Sequence, residues 1–376
     1  MNLAEMFSQI CAEAESSFEA QILSSPGDFQ NDQFKKFVLN KIASLDDLYK
    51  IRLEQEFFGL GPLEILIADP TVTEALVNSY DSIWFEQSGK LQRHDDQFLS
   101  EVSFHNIVER LGQLAGKHLS LERPFLEGHF NGMRLSMIGS QLTGDQAILS
   151  IRKHPKSPWN LKKLVEAEWC SNQQLNQLQS MVESGSNFLV IGETGSGKTS
   201  VINALLQEIP ANERAVVIED SSEVYLPNQA SIKLLTRDAS EGQFCAIDQQ
   251  VLLKRALRLR PDRLVMGEIR GEESKDFLML LATGHKGCFA TLHAKHPSEA
   301  LIRLEMLIQL GAPQWNLEAI RRLIFLSLQF IVVVEKSSTG KRQLKGIYKL
   351  SSLEDSGITL DSTDSFDPLA TFSDIG

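Results

Sequence analysis

The stretch Gly192-Glu193-Thr194-Gly195-Ser196-Gly197-Lys198-Thr199 fits the pattern GxxxxGK[ST], and its reading decides the fold class. Its glycines let the backbone curl so that consecutive N–H groups face phosphate oxygens, and the helix that follows adds its positive end. Lys198 is placed to reach β- and γ-phosphates, and the Thr199 hydroxyl to ligate Mg²⁺. The flanks strengthen the signal. Asn187 to Ile191 is a strand-like run just before the loop, and Val201, Ile202, Leu205, Leu206 and Ile209 recur at helical spacing up to Pro210.

Working outward, continuous apolar runs recur at Phe188 to Ile191, Ala215 to Ile218, Leu264 to Met266, Phe289 to Leu292 and Phe330 to Val334, with helical stretches between them. A parallel sheet covered on both faces requires such runs, so residues 161–350 read as a doubly wound α/β domain. Upstream, Lys153-His154-Pro155-Lys156-Ser157-Pro158 resists both helix and sheet, and 153–160 reads as a linker. Residues 58–152 read as a smaller α+β domain, with a strand at Ile83 to Glu86 and a helix around Phe104 to Ala115. Residues 1–57 carry helix-like spacing interrupted by Ser25-Pro26-Gly27, a short helical N-terminal element. After Lys349 there is no Lys or Arg while acidic residues accumulate, so 351–376 read as an acidic, flexible tail.

The bulk composition narrows the function classes. At 376 residues, 42% apolar and 23% charged, the chain suits two globular domains. A net charge of −12 argues against broad DNA binding, which relies on Lys and Arg neutralising phosphates. The four cysteines form no CxxC pair, which suggests neither a zinc module nor a disulfide framework and fits a reducing cytoplasm. No signal peptide is legible, and the most apolar segment, Leu323 to Val334, is well short of the ~20 residues a membrane span needs. Membrane contact is expected to be peripheral and through partners.

A nucleoside triphosphatase also needs carboxylates at neighbouring strand ends, to hold Mg²⁺ and orient the attacking water. Val216-Val217-Ile218 leads into Glu219-Asp220-Ser221-Ser222-Glu223, and Leu264-Val265-Met266-Gly267 into Glu268. Acidic residues after strands are also common surface features. Thr283-Gly284-His285 precedes the run Cys288 to Leu292 and His293 closes it, a polar pair expected at a strand's C-terminal end. These histidines read as a γ-phosphate sensor or a bridge to a neighbouring subunit, in preference to structural histidines or a metal pair with His296. Arg255, Arg258, Arg260, Arg263 and Arg270 crowd around the second acidic strand, where one or two could stabilise phosphoryl charge while most make a solvated helix face.

Together, GETGSGKT, VIEDSSE, LRLRPDRLVMGEIRG and TGHKGCFATLHA resemble, in order and spacing, the Walker A, Asp box, Walker B and His box of the motor ATPases of type II and type IV secretion and pilus assembly. The resemblance runs from about Phe57 to Lys336 and is greatest to the CpaF-like ATPases of Tad (Flp) pili. It implies a RecA-like P-loop domain preceded by a PAS-like α+β domain, and ATP with Mg²⁺ as the nucleotide and metal. Carried over to this chain, it gives Glu223 the positioning or activation of water, and Glu268 and Thr199 the service of Mg²⁺. His285 and His293 match the His box, Arg258 an arginine before Walker B, and Arg134 and Arg152 the arginines of the first domain that approach the γ-phosphate. It further implies a homohexameric ring at the cytoplasmic side of the inner membrane, docked on a platform protein of a pilus or secretion machine.

The chain departs from the family pattern in three places. It lacks the four-cysteine module of the type II branch, the wording of Phe125 to Gly132 differs, and the N-terminal element is short. Two other readings compete. A nucleotide-binding scaffold with slow turnover is opposed by the intact Lys198, Thr199, Glu223 and Glu268. A DNA-handling motor is opposed by the acidic charge, so no stable nucleic-acid binding is expected.

Overall fold

The computed structural model describes residues 2–17, 32–153, 158–237 and 245–363. The Ser25-Pro26-Gly27 turn and positions 154–157 of the linker lie outside them. The chain forms two compact units, residues 1–155 and 156–376.

The first unit opens with helices α1 (Leu3–Ser17), α2 (Asp32–Ile42) and α3 (Asp47–Phe58). Their apolar stripes meet in a core of their own, with Phe7, Ile10, Phe34, Val38, Ile42, Leu53 and Phe57 buried. Asp46 caps α3 by accepting from Leu48 N at 3.0 Å. At the other end of α3, Arg110 donates to the carbonyls of Phe57, at 2.7 Å, and Gly59.

Arg110 belongs to the second layer of this unit, made of α4 (Leu63–Ala68), β1 (Val72–Ser79), β2 (Ser82–Gln87), β3 (Lys90–Arg93), α5 (Glu101–Leu114), β4 (Phe125–Phe130), β5 (Met133–Ile138), α6 (Ser140–Thr143) and β6 (Ile148–Lys153). The strands pair in the order β3-β2-β1-β6-β5-β4, a six-stranded antiparallel sheet. β4 and β5 form a hairpin turning on Asn131 (φ 48°) and Gly132 (φ 75°), the left-handed pair that a two-residue hairpin turn demands. Lys153, which the sequence assigns to the linker, instead ends β6 and donates to Leu66 O at 3.1 Å.

The second unit contains α7 (Leu161–Glu166), α8 (Asn172–Glu183), β7 (Phe188–Ile191), α9 (Lys198–Leu206), β8 (Ala215–Glu219), β9 (Ile232–Leu235), α10 (Gln249–Ala256) with a 3₁₀ turn at Leu257–Leu259, β10 (Arg263–Ile269) and α11 (Glu273–Ala282). It continues with β11 (Phe289–Leu292), α12 (Pro297–Gly311), α13 (Leu317–Ser327), β12 (Phe330–Lys336), β13 (Arg342–Glu354) and β14 (Gly357–Ser362). The sheet order is β14-β13-β12-β7-β11-β10-β8-β9. The strands from β12 to β9 are parallel, and β13 and β14 add an antiparallel edge.

The continuous apolar runs have the expected physical cause. In β7, Leu189 and Ile191 face one core, with α10 to α13, while Phe188 and Val190 face the other, with α7 to α9. Val216 and Ile218 against Val217 in β8, and Ile331 and Val333 against Val332 in β12, repeat the alternation. Phe188 and Phe289 stack across β7 and β11 with centroids 4.8 Å apart. Each such fully buried side chain stabilises by roughly 1.5–3 kcal/mol.

The acidic tail needs correction over 351–363. β13 runs on to Glu354 and β14 follows, with Ile358 and Leu360 packed on the core. Thr363 is buried, with its carbonyl accepting from Gln177 Nε2 at 2.7 Å. Charge composition masked the few apolar residues that a hairpin on a sheet edge needs. The remainder, 364–376, lies outside the described residues.

Candidate nucleotide site

The loop from Gly192 to Thr199 leaves the carboxyl end of β7 and enters α9. Gly195 (φ 74°) and Gly197 (φ 98°) occupy the left-handed region that glycine enters freely, which lets the loop curl. Gly192 permits close approach, since a Cβ there would collide with Val334 O and Ser196 Oγ. At Gly197 a Cβ would fall 2.5 Å from the Trp169 ring. Arg342 Nε donates to Gly195 O at 3.0 Å, so the start of β13 braces the loop from outside. Lys198 Nζ reaches the Gly192 and Glu193 carbonyls at 2.8 and 3.1 Å, which stations its charge at the loop mouth. Glu193 and Thr194 are exposed at that mouth. Ser196 Oγ is buried without a hydrogen-bond partner, a donor that a phosphoryl oxygen would satisfy.

The carboxyl ends of the parallel strands form one edge, and there β8 delivers the segment Glu219 to Glu223. Asn203, on α9 and 5% exposed, ties this segment to the loop helix. Its Nδ2 donates to Thr199 O at 3.1 Å and Glu223 O at 3.2 Å, and its Oδ1 accepts from Tyr225 N at 2.7 Å. Glu219 is buried, and Oε1 accepts from the Glu223 and Val224 amides at 3.1 and 2.9 Å. Burial pushes its carboxyl up to about 7, against the opposing pull of Lys233, whose Nζ stands 3.3 Å from Oε2.

Glu268 lies near the carboxyl end of β10, where its Oε2 accepts from Arg270 at 2.6 Å. Arg270 also stands 3.6 Å from Asp220 Oδ2, linking the two acidic segments across β10 and β8. The Glu268 carboxylate holds the Arg270 guanidinium above its ordinary range. Thr291 Oγ1 donates to Gly267 O at 2.5 Å, fixing the backbone just before Glu268. His293 follows β11 on the same edge and is half-buried. Glu299 then holds the next turn by accepting from Lys295 N at 2.9 Å.

His285 and Arg258 are not brought to this edge. His285 precedes β11, and its carbonyl accepts from Asn187, the residue just before β7, at 3.1 Å, which places it at the amino end of the strands. The expectation of a histidine pair at one strand end is therefore corrected. The run Phe289–Leu292 lies between the two histidines, and of the pair only His293 follows β11 at its carboxyl end. Arg258 is exposed in the 3₁₀ turn before β10, also at the amino end. Of the neighbouring arginines, Arg263 is buried against Glu213 at 2.5 Å and is structural. In the first unit, Arg134 of β5 and Arg152 of β6 are register partners on one sheet face, and Arg134 pairs with Glu127 at 3.2 Å.

Sequence reasoning did not pick out Asn203, Lys233 or Trp169. Only the helical spacing of Asn203 four residues after Thr199 hinted at the first. Lys233 reaches Glu219, and Trp169 reaches Gly197, through tertiary packing alone.

The family profile described as "Type II/IV secretion system protein" matches residues 125–343. A Mycobacterium tuberculosis protein named for conjugal transfer is 31% identical, over 80% of this chain and 87% of its own length. Type IV secretion system protein PtlH of Bordetella pertussis is 29% identical over 74% of this chain and 90% of its own. Among solved structures, the Legionella pneumophila ATPase DotB superposes with a TM-score of 0.55 at 17% identity, covering 75% of this chain and 78% of DotB. The pilus retraction motor PilT, solved with bound ADP, gives 0.54 at 19%, covering 76% of this chain and 81% of PilT. At these identities the two structures speak to the fold alone.

Proposed function

This chain belongs to the type II/IV secretion system protein family, and from that premise we propose that it is an ATP-hydrolysing motor that works as a hexameric ring. The observation that carries the reading is the shared strand edge, where the loop after β7, Glu223 after β8 and Glu268 of β10 are held together through Asn203 and Arg270. In this reading the loop amides and Lys198 bind the β- and γ-phosphates of ATP. The hard oxygen donors of Thr199 and Glu268 suit Mg²⁺, which when bound neutralises charge on the phosphates. Glu223 accepts the proton of the attacking water as its oxygen bonds to the γ-phosphorus and the bond to the ADP oxygen breaks. His293, which follows β11 on the same edge, is proposed to sense the γ-phosphate, and Arg134 and Arg152 to add positive charge to it.

The ring is proposed to sit on the cytoplasmic side of the inner membrane against a platform protein, powering a Tad-type or related type IV-like pilus, or a secretion machine. Among the described residues no helix is long and apolar enough to cross a membrane, which suits a peripheral part. Deleting this chain in its host tests the assignment. Loss of a surface pilus is expected, while loss of DNA transfer alone would favour a conjugative role. The name of the Mycobacterium relative favours that second reading, and a net charge of −12 opposes it.

A further inference from the structure

Three features outside the loop itself invite explanation. An apolar stripe of Ile302, Met306 and Leu310 on α12 is exposed, but nothing in the structure shows what covers it. A cavity of about 400 Å³ beside α5 mixes Glu101, His105 and Glu109 with Leu119 and Leu121, without a donor set that selects one ligand. The third is the pair of buried Glu219 and half-buried Lys233, and it carries an inference.

We propose that Glu219 and Lys233 form a clasp that positions the segment bearing Glu223, making them positioning residues for the hydrolysis proposed above. The proposal rests on that reading. Glu219 closes β8, and its Oε1 accepts from two successive amides, Glu223 N at 3.1 Å and Val224 N at 2.9 Å. Lys233, from β9, brings its ammonium 3.3 Å from Oε2 and donates to Ser222 Oγ at 2.8 Å and to Val224 O. The ammonium thus reaches three oxygen atoms, two of them on the segment itself. Gly267 of β10 makes the room, since a Cβ there would stand 3.2 Å from Glu219 Cγ.

A surface loop would be held more simply by apolar contacts, and a buried ion pair is weak evidence for stability. Its geometry here serves orientation. Two amides and a carbonyl around Glu223 are fixed from below, and Asn203 holds Glu223 O from the α9 side. The Glu223 side chain is thus carried on a backbone gripped on two sides. Such a grip matters for water activation, where about 1 Å of misplacement can cost on the order of a hundredfold in rate, and matters little for binding ATP, which uses the loop.

The test uses the full chain with Lys233→Met, and the double variant Glu219→Gln/Lys233→Met, which removes both charges at nearly constant volume should the single variant fold poorly. Turnover of MgATP and amide hydrogen exchange of residues 221–225 are measured together. The clasp requires faster exchange in that segment, a kcat reduced on the order of tenfold or more, and a KM for ATP within about twofold of wild type. Unchanged exchange overturns the clasp. Faster exchange with unchanged kcat overturns its role in positioning, and so does a loss seen only in KM. If the wild-type chain does not hydrolyse ATP, the proposed function fails and the positioning role falls with it, whereas exchange still reports whether the clasp exists.

Discussion

Asn203 holds Glu223 by its main chain: the side-chain amide on α9 donates to the Glu223 carbonyl at 3.2 Å while also donating to Thr199 O at 3.1 Å. One buried side chain thus joins the helix that carries the phosphate loop to the segment that carries the proposed base. Asn203→Ala removes both bonds and leaves the Tyr225 amide without its acceptor. A loss of about 1–3 kcal/mol in unfolding free energy is expected, together with a kcat that falls more than KM rises. Denaturant unfolding and steady-state kinetics check both, and an unaffected kcat in a stably folded variant would separate the two elements.

Glu223 and Glu268 have different tasks on the same edge, and substitution separates them. Glu223→Gln is expected to bind ATP normally and lose hydrolysis by roughly a hundredfold or more, whereas Glu268→Gln should weaken the Mg²⁺ dependence of turnover. A Glu223→Gln protein that hydrolyses normally beside a dead Glu268→Gln protein would reverse the assignment.

Burial of Glu219 makes stability depend on pH in a defined direction. Its folded-state value is raised from the ordinary 4.5 to about 7, so the folded state holds this proton more tightly than the unfolded chain. The stability it contributes is full below pH 4.5 and is lost as pH rises through about 7. Comparing urea unfolding of wild type and Glu219→Gln at several pH values, wild type should lose ground to the variant across that window. Parallel curves would count against the raised value. The charged form that the Glu223 segment needs is the one that burial disfavours, and Lys233 offsets part of that cost.

Gly197 combines a φ of 98° with the Trp169 ring where a Cβ would go. Gly197→Ala is expected to cost about 1–3 kcal/mol from backbone strain alone, and to weaken nucleotide binding because the loop must shift. Thermal unfolding and nucleotide titration read the two effects, and a variant with wild-type values in both would show that the loop tolerates another shape.

Much of the second unit was legible because a two-faced sheet writes itself as uninterrupted apolar runs, and the phosphate loop as glycines before Lys198-Thr199. The strand edge was legible only for residues at or soon after the carboxyl end of a strand: Glu268 within β10, Glu223 shortly after β8 and His293 directly after β11. His285 was misplaced because the motif reads as one string although the strand Phe289–Leu292 carries its two histidines to opposite ends. Arg258 lies before its strand, where the sequence put it, and so at the amino end of β10. The hairpin of β13 and β14 was hidden by Ser, Thr and acidic residues around a few apolar anchors such as Leu350, Ile358 and Leu360. The Asn203–Glu223 and Lys233–Glu219 contacts join segments that no local pattern links.

Assembly is a separate expectation. Light scattering with MgATP should show a ring of six, and a stable monomer under those conditions would count against the motor reading.

The most direct measurement is phosphate release from MgATP by the assembled full chain, compared with the same chain carrying Lys198→Ala. Turnover by the wild type and its loss to background in the variant is the expected result. A wild type without turnover, or a Lys198→Ala protein that keeps it, would contradict a hydrolytic site at the loop after β7.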